Sequence, residues 1–312
     1  MIKEIKKIYK LILNFRDFVF RSNYFLSPTP YTLNKGAILV ITLWLVSLLA
    51  IFGIGLSRLA WSSYYFSRWQ ASAFYSRIIA DSVLLICKND RKKDINPQYD
   101  ILSEFFRDEV FECGEFEGRY SLVDEESLFN INTVSRSIIE ELPSLNSNRA
   151  KEILEYRDKP FFPKEELLLV DEIETENYDE IKKIITVYGT GEVNINTCSE
   201  DILRRLGLTD NMIDDIVDFR NGYDGELYTE DDGVFDSVSN IVTILTDEYQ
   251  FSMREQQIMV VLIGKKSLCV KSNNFRIVLG IYKNDRLLSD YSIIIGQNEK
   301  DKKMEIKEWK IM

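Results

Sequence analysis

The fold of this chain turns on Lys35-Gly36-Ala37-Ile38-Leu39-Val40-Ile41-Thr42-Leu43-Trp44 and the apolar run that continues to Ser57. No charged residue stands between Gly36 and Ser57, and Lys35 and Arg58 bracket the run. As an α-helix rising about 1.5 Å per residue, it spans the roughly 30 Å hydrocarbon core of a bilayer. It is too long for the apolar region of a secretory signal, and no small-x-small exit follows it. Beyond Arg58 the helical spacing continues through Leu59, Trp61, Tyr65, Trp69, Phe74, Ile78, Ala80 and Leu84, with neither Pro nor Gly from Leu56 to Asn96. One helix from Ala37 to about Cys87 is therefore expected. Its membrane-crossing part is 37–57, its aromatic residues sit where a spanning helix meets the headgroups, and its amphipathic second half needs a soluble domain to cover it.

Charge gives the run a direction. Residues 1–36 hold seven Lys/Arg against Glu4 and Asp17, a net of +5, so the remainder carries −16 in a chain of net −11. A basic flank stays in the cytoplasm, which makes 1–36 a cytoplasmic leader and puts the acidic bulk on the periplasmic side of an inner membrane crossed once. Within the leader, Ile2, Ile5, Ile8, Ile12, Phe15 and Val19 fall at helical spacing with lysines between them, as in a helix lying on an anionic membrane; a translation start placed too early is the competing reading. Ser27-Pro28-Thr29-Pro30 separates this segment from the apolar run.

Composition narrows the chemistry. The acidic bulk is a poor partner for phosphate backbones. The chain has no histidine, the commonest general base and metal ligand. Cys87, Cys113, Cys198 and Cys269 are scattered with no CxxC pair, which disfavours zinc. They leave either one disulfide of undeducible pairing or packed thiols.

An internal repeat occupies the middle. Asn130-Ile131-Asn132-Thr133-Val134-Ser135 recurs as Asn194-Ile195-Asn196-Thr197-Cys198-Ser199, and the agreement runs on to Ile153-Leu154-Glu155-Tyr156-Arg157 against Ile216-Val217-Asp218-Phe219-Arg220. The offset is 64 at the start and 63 at the end. Each copy predicts an Asn/Thr/Ser helix cap, an apolar helix, a short turn and a second apolar helix. Around this helical region, 128–266, the readings differ. Residues 89–97 predict a polar loop, 99–112 a short helix, and 120–131 a strand with a turn at Asp124-Glu125-Glu126. From Ser267 the pattern is β, with strands at 267–271, 275–283, 287–295 and 303–310 and turns at Asn273-Asn274 and Asn284-Asp285. A meander over 267–312 covering the long helix would satisfy both apolar faces.

The paired helices resemble helix-hairpin-helix modules, which grip phosphates through a Gly-x-Gly hairpin. The first copy reads Leu142-Pro143-Ser144-Leu145-Asn146-Ser147, and the second keeps Gly207 but follows it with Leu208-Thr209-Asp210, a carboxylate where an anion would sit. A packing scaffold that has lost the phosphate site is the reading these residues favour.

Taken together, the Lys35-Gly36-Ala37 junction, the duplicated Asn-Ile-Asn-Thr units, Tyr156-Arg157-Asp158-Lys159-Pro160-Phe161-Phe162 with Glu165-Glu166-Leu167, and the closing meander resemble the K-type minor pseudopilins of bacterial type II secretion (general secretion pathway protein K). The resemblance covers about Lys35 to Met312. It implies an α+β fold: a pilin-like long N-terminal helix packed on a C-terminal antiparallel sheet, with 58–127 as the first part of that domain and an inserted all-α domain of two helix-hairpin-helix-like (SAM-like) repeats. It implies cleavage by prepilin peptidase after Gly36, N-methylation of Ala37, no enzymatic activity, and a place at the tip of the pseudopilus. Other minor pseudopilins would pack on the 37–87 helix, and no nucleic acid is expected. Major pilins carry glutamate at the fifth mature position, where it is thought to neutralise the N-terminal ammonium of the subunit above. Here that position is Ile41, as in K-type subunits, which suits the topmost place. No cofactor is required, but the loop Asp224-Gly225-Glu226 to Glu230-Asp231-Asp232 offers hard oxygen ligands, and calcium sites are known in the family's helical domain.

Two other functions stay open. One is a membrane-anchored helix-hairpin-helix protein for DNA binding or uptake. The other is an extracytoplasmic enzyme, although no nucleophile or acid/base pair stands in a recognisable arrangement. A plain membrane anchor accounts for the apolar run alone.

Overall fold

The computed structural model describes residues 35–93, 96, 98–105, 108–225, 229, 231–298 and 303–312. The leader reading, its helix at 2–20 and the proline break at 27–30 lie outside the described residues. The chain divides into two units, Met1–Arg68 and Trp69–Met312.

Helix α1 runs Lys35–Lys92, longer at both ends than the expected span. Residues 36–68, in the first unit, are exposed throughout, and among the described residues α1 is the helix long and apolar enough to cross a membrane. In the second unit its character changes. Ser76, Ile79, Ala80, Val83, Leu84, Cys87 and Arg91 recur at helical spacing and are buried. Arg91 and Lys92 occupy the last turn, where cations complement the helix dipole.

The partner of that stripe is a five-stranded antiparallel sheet of β1 (Glu109–Cys113), β2 (Phe116–Asp124), β7 (Asn274–Lys283), β8 (Arg286–Gln297) and β9 (Met304–Ile311), in the order β1-β2-β7-β8-β9. Two strands that precede the insert therefore complete a sheet begun by three that follow it, with Leu122 opposite Ile277 and Asp124 opposite Phe275. Alternate residues Tyr120, Leu122, Ile277, Leu279, Ile293 and Ile295 meet Ile79, Ala80, Val83 and Cys87 in one core. A Cβ on Gly118 would lie 2.7 Å from Ile79 Cγ2, so glycine is what lets helix and sheet approach here. Arg77 of α1 stacks over the Trp309 ring at 4.0 Å.

Two expected elements differ. Among the described residues of 99–112 there is no α-helix: a 3-10 turn at Leu102–Glu104 precedes β1, the sheet's outer strand, because backbone pairing with β2 (Glu109 opposite Tyr120) outweighs a weak helical pattern. The expected first meander strand, 267–271, shrinks to β6 (Leu268–Cys269) and leaves the sheet. Leu268, Cys269 and Val270 are buried in succession, and such a run suits an element enclosed by the insert better than one side of a half-covered sheet.

The insert has one apolar core shared by both repeats. The first copy comprises β3 (Phe129–Asn130), α2 (Arg136–Glu140), α3 (Ser147–Tyr156), a 3-10 turn (Lys164–Leu169), α4 (Thr175–Ile181) and β4 (Ile185–Thr186). The second comprises β5 (Val193–Asn194), α5 (Glu200–Arg205), α6 (Asp210–Asn221), α7 (Ile241–Tyr249), α8 (Met253–Gly264) and β6. Each copy closes on itself through a short parallel pair, β3 with β4 and β5 with β6. The change of offset falls in the hairpins. Ser144 (φ 55°) and Gly207 (φ 91°) are their left-handed residues, 63 apart, which leaves Pro143 as the extra residue of the first copy.

Helix capping also departs from expectation. Ser135 and Ser199 precede α2 and α5 but make no side-chain cap bond. Caps form at the second helices, where Asn146 accepts from Asn148 and Arg149 N–H and Thr209 accepts from Met212 N–H. All four cysteines are free thiols.

Candidate functional site

The opening asparagines do not cap helices; they reach across the fold. Asn132 Oδ1 accepts from Phe161 N at 2.8 Å, and its Nδ2 donates to Phe161 O at 3.0 Å. Asn196 repeats the clamp on Phe235 N and O, both at 3.0 Å. Arg157 Nη1 donates to Val134 O at 2.8 Å, and Arg220 Nη1 to Cys198 O at 2.7 Å. Tyr156 stacks on Phe161, and Phe219 packs on Phe235. The repeat thus extends past Arg157 and Arg220, where the sequence agreement stops. It was hidden because the offset jumps from 63 at Arg157/Arg220 to 74 at Phe161/Phe235. The extra residues of the second copy are the acidic loop that starts at Gly222.

The first asparagines of the two copies diverge. Asn130 Nδ2 donates to the carbonyls of Tyr188 and Gly189 at 3.1 and 2.9 Å. Asn194 Nδ2 faces side chains instead: Asp100 Oδ2 at 3.1 Å, Asp124 Oδ2 at 3.0 Å and Ser272 Oγ at 3.0 Å. Asp124 Oδ2 also accepts from Thr197 Oγ1 at 2.5 Å and Ser272 Oγ at 2.7 Å, while its Oδ1 accepts from Glu126 N at 2.7 Å. Asp100 accepts from Ser272 N at 2.6 Å and pairs with Lys271 at 2.9 Å and Arg91 at 3.6 Å. Arg91, at the end of α1, also pairs with Glu104 at 3.1 Å and lies over the Phe105 and Phe275 rings.

This polar junction therefore joins α1, β2, the second copy and the segment leading into β7. Asp100 and Asp124 are both buried. Burial raises the Asp100 carboxyl and pushes that of Asp124 up to about 7; the Asp100 charge adds to the second shift, and the Thr197 and Ser272 hydroxyls oppose it. Beside them, Glu126 Oε1 accepts from Asn273 N and Asn274 Nδ2 at 3.0 and 2.7 Å, and Glu125 pairs with Arg276 and Thr186. Sequence reasoning marked Asn194 and Asn196 but missed Asp100 and Asp124. An acid ending an apolar strand is an ordinary turn signal, and only the tertiary fold shows where it goes.

The other expected sites lie apart from this junction. Gly36, Ala37 and Ile41 are in the exposed opening of α1, and a Cβ on Gly36 meets no described heavy atom within 4 Å. In the acidic loop, Thr229 Oγ1 lies 3.4 Å from Asp224 Oδ1, 2.8 Å from Asp231 Oδ1 and 3.3 Å from Asp232 Oδ1. Asp231 Oδ2 accepts from Tyr223 N and Asp224 N, and hydrogen bonds led by that from Thr229 hold its carboxyl below the usual range. Glu226 and Glu230 lie outside the described residues. Among the described residues no three Cys, Asp or Glu side chains stand arranged as metal ligands, although the oxygens that converge on Thr229 are of the hard type calcium takes.

Known proteins bear on this arrangement in two ways. The family model for the helix-hairpin-helix motif matches residues 124–186, which run from Asp124 through β4 and so cover the first copy. No curated protein matches the chain. Among solved structures, the chain is similar to one in the crystal structure of the GspK-GspI-GspJ complex from the enterotoxigenic Escherichia coli type 2 secretion system. The identity is 14% and the TM-score 0.59, and the match covers 79% of this chain and 99% of that one. The likeness is one of fold: a GspK-like minor pseudopilin fold, α+β, with a long N-terminal helix, an antiparallel sheet and a helix-hairpin-helix domain.

Proposed function

We propose that this chain is a minor pseudopilin, a non-enzymatic component of a type II secretion pseudopilus that supports protein export. The observation that carries the reading is the shared fold across 99% of a chain from the GspK-GspI-GspJ complex. On this reading residues 37–57 hold the precursor in the inner membrane, with the leader cytoplasmic and the bulk periplasmic. Prepilin peptidase cuts after Gly36, and Ala37 becomes the methylated N-terminus. Among the described residues nothing packs on Gly36, which leaves the junction open to a peptidase. Partners are other minor pseudopilins, counterparts of GspI and GspJ, on the 37–87 helix. With Ile41 in place of glutamate the subunit offers no carboxylate to a neighbour ahead, which suits the tip. Calcium in the 224–232 loop would stiffen the second copy's expansion. Calorimetry of the full chain giving no heat with calcium would remove that element alone.

The test is co-expression with a prepilin peptidase and mass spectrometry of the product. Loss of residues 1–36 with gain of a methyl group supports the reading, and an intact N-terminus beside an active peptidase overturns it. The helix-hairpin-helix match favours a second reading, a membrane-anchored DNA-binding or uptake protein. Salt-dependent DNA retention by the full chain would support that alternative. Asp210 at the second hairpin, paired to Arg204 at 3.2 Å, argues against it.

A further inference from the structure

We propose that the second helix-hairpin-helix copy is latched to the sheet by a single proton held in the Asp100–Asp124 carboxylate pair, and that loss of this proton loosens the attachment. The inference does not depend on the pseudopilin reading.

The geometry sets the problem. One amide group, Asn194 Nδ2, has two hydrogens and faces three acceptors, two of which belong to different buried carboxylates. Ser272 bridges the same two residues, with its N–H on Asp100 and its hydroxyl on Asp124. Two carboxylates crowded onto shared donors away from water do not both ionise readily. The cations are distributed unequally. Lys271 and Arg91 lie on the Asp100 side, whereas among the described residues the contacts of Asp124 are hydroxyls and amides. Asp100 therefore carries the charge and Asp124 the proton. Protonated Asp124 donates to the Thr197 or Ser272 hydroxyl, either of which accepts by rotating its own hydrogen.

The remaining titratable groups facing the pair do not supply the missing charge. Glu126, in the turn after β2, is itself raised by burial, and burial likewise raises the Cys198 and Cys269 thiols, which stay neutral. Asp124 joins β2 to Thr197 and Asn194 of the second copy, so the proton sits at the joint between sheet and insert.

The folded carboxyl lies near 7 and a detached one near the ordinary aspartate value of about 4. A raised acid contributes stability while protonated. The contribution is complete below about pH 4, declines up to tenfold per pH unit, and is exhausted once pH passes about 7.

The test is hydrogen–deuterium exchange of the full chain in detergent, followed by mass spectrometry at segments 122–128, 193–199 and 268–274 and corrected for intrinsic amide chemistry. Between about pH 5 and pH 7 protection in these segments falls up to roughly a hundredfold in the native chain. It stays flat in Asp124→Asn, which keeps the acceptor for Glu126 N–H, and keeps its slope in Glu126→Gln. Flat protection in the native chain, or an unchanged slope in Asp124→Asn, overturns the proposal. If Asp124→Asn does not fold, aspartate-selective carbon NMR of the native chain decides. A carboxyl titrating near 7 upholds the latch, and aspartates that all titrate near about 4 overturn it.

Discussion

Asn196 and Phe235, far apart in sequence, hold each other by a two-way bond: Phe235 N–H donates to Asn196 Oδ1, and Asn196 Nδ2 donates to Phe235 O, both at 3.0 Å. Asn132 and Phe161 make the same pair in the first copy. The asparagine amide replaces a missing strand neighbour, satisfying one backbone donor and one acceptor where no ladder reaches.

Truncating either clamp leaves two buried backbone groups without partners. Asn132→Ala and Asn196→Ala are each expected to cost about 2 kcal/mol or more, since each orphaned group costs about 1–3. Urea unfolding of each variant measures this. Equal stability of variant and native chain would show that the clamp is dispensable.

Arg91 anchors the end of α1 to two acids while almost fully enclosed. Removing the cation leaves Asp100 and Glu104 facing each other in a buried site. Arg91→Met is therefore expected to destabilise by about 3–5 kcal/mol, the range for breaking a buried ion pair. Arg91→Met with Asp100→Asn should recover part of the loss. Thermal unfolding of the single and double variants separates the coupling from simple loss of packing.

At Gly118 the sheet leaves no room for a Cβ beside Ile79 of α1. Gly118→Val would drive methyl groups into Ile79, and overpacking of this kind costs about 1–3 kcal/mol. Combining it with Ile79→Ala opens space at the same point, so the double variant should fall short of the sum of the singles. Additive losses in denaturant titration would argue against direct contact.

Gly36 and Gly53 are both helical, and a Cβ on either meets no described atom. If Gly36 is a processing signal, Gly36→Ala abolishes removal of residues 1–36 by a co-expressed prepilin peptidase, while Gly53→Ala leaves it unchanged. Intact-mass measurement of both variants reads the difference, and equal processing would remove Gly36 from the proposed site.

Features that depend on local pattern are legible in the residues alone. A charge-free run of spanning length marks a long apolar helix, and the helical spacing that continues to Leu84 calls for a covering domain. Of that stripe only Ala80 and Leu84 are buried; the sheet covers the face of Ile79, Val83 and Cys87 beside them, and the stripe's members from Leu59 to Ile78 stay exposed. Tandem Asn-Ile-Asn-Thr units at a nearly constant offset announce two hairpins, and β-type runs at 275–283, 287–295 and 303–310, separated by polar residues, announce the last three strands. The other features depend on partners distant in sequence. Residues 109–113 became a strand because β2 offered a free edge, and Leu268–Cys269 left the meander because Val193–Asn194 offered a parallel one. Asn130 and Asn194 occupy the same place in their repeats and have the same chemistry, yet one holds two backbone carbonyls while the other bridges two buried carboxylates. Nothing in either motif distinguishes them. The difference comes from Asp124 at the end of β2 and Asp100 in the segment after α1, which the fold brings to the second copy and not to the first, and a buried amide takes whichever acceptors the fold places within about 3 Å of it.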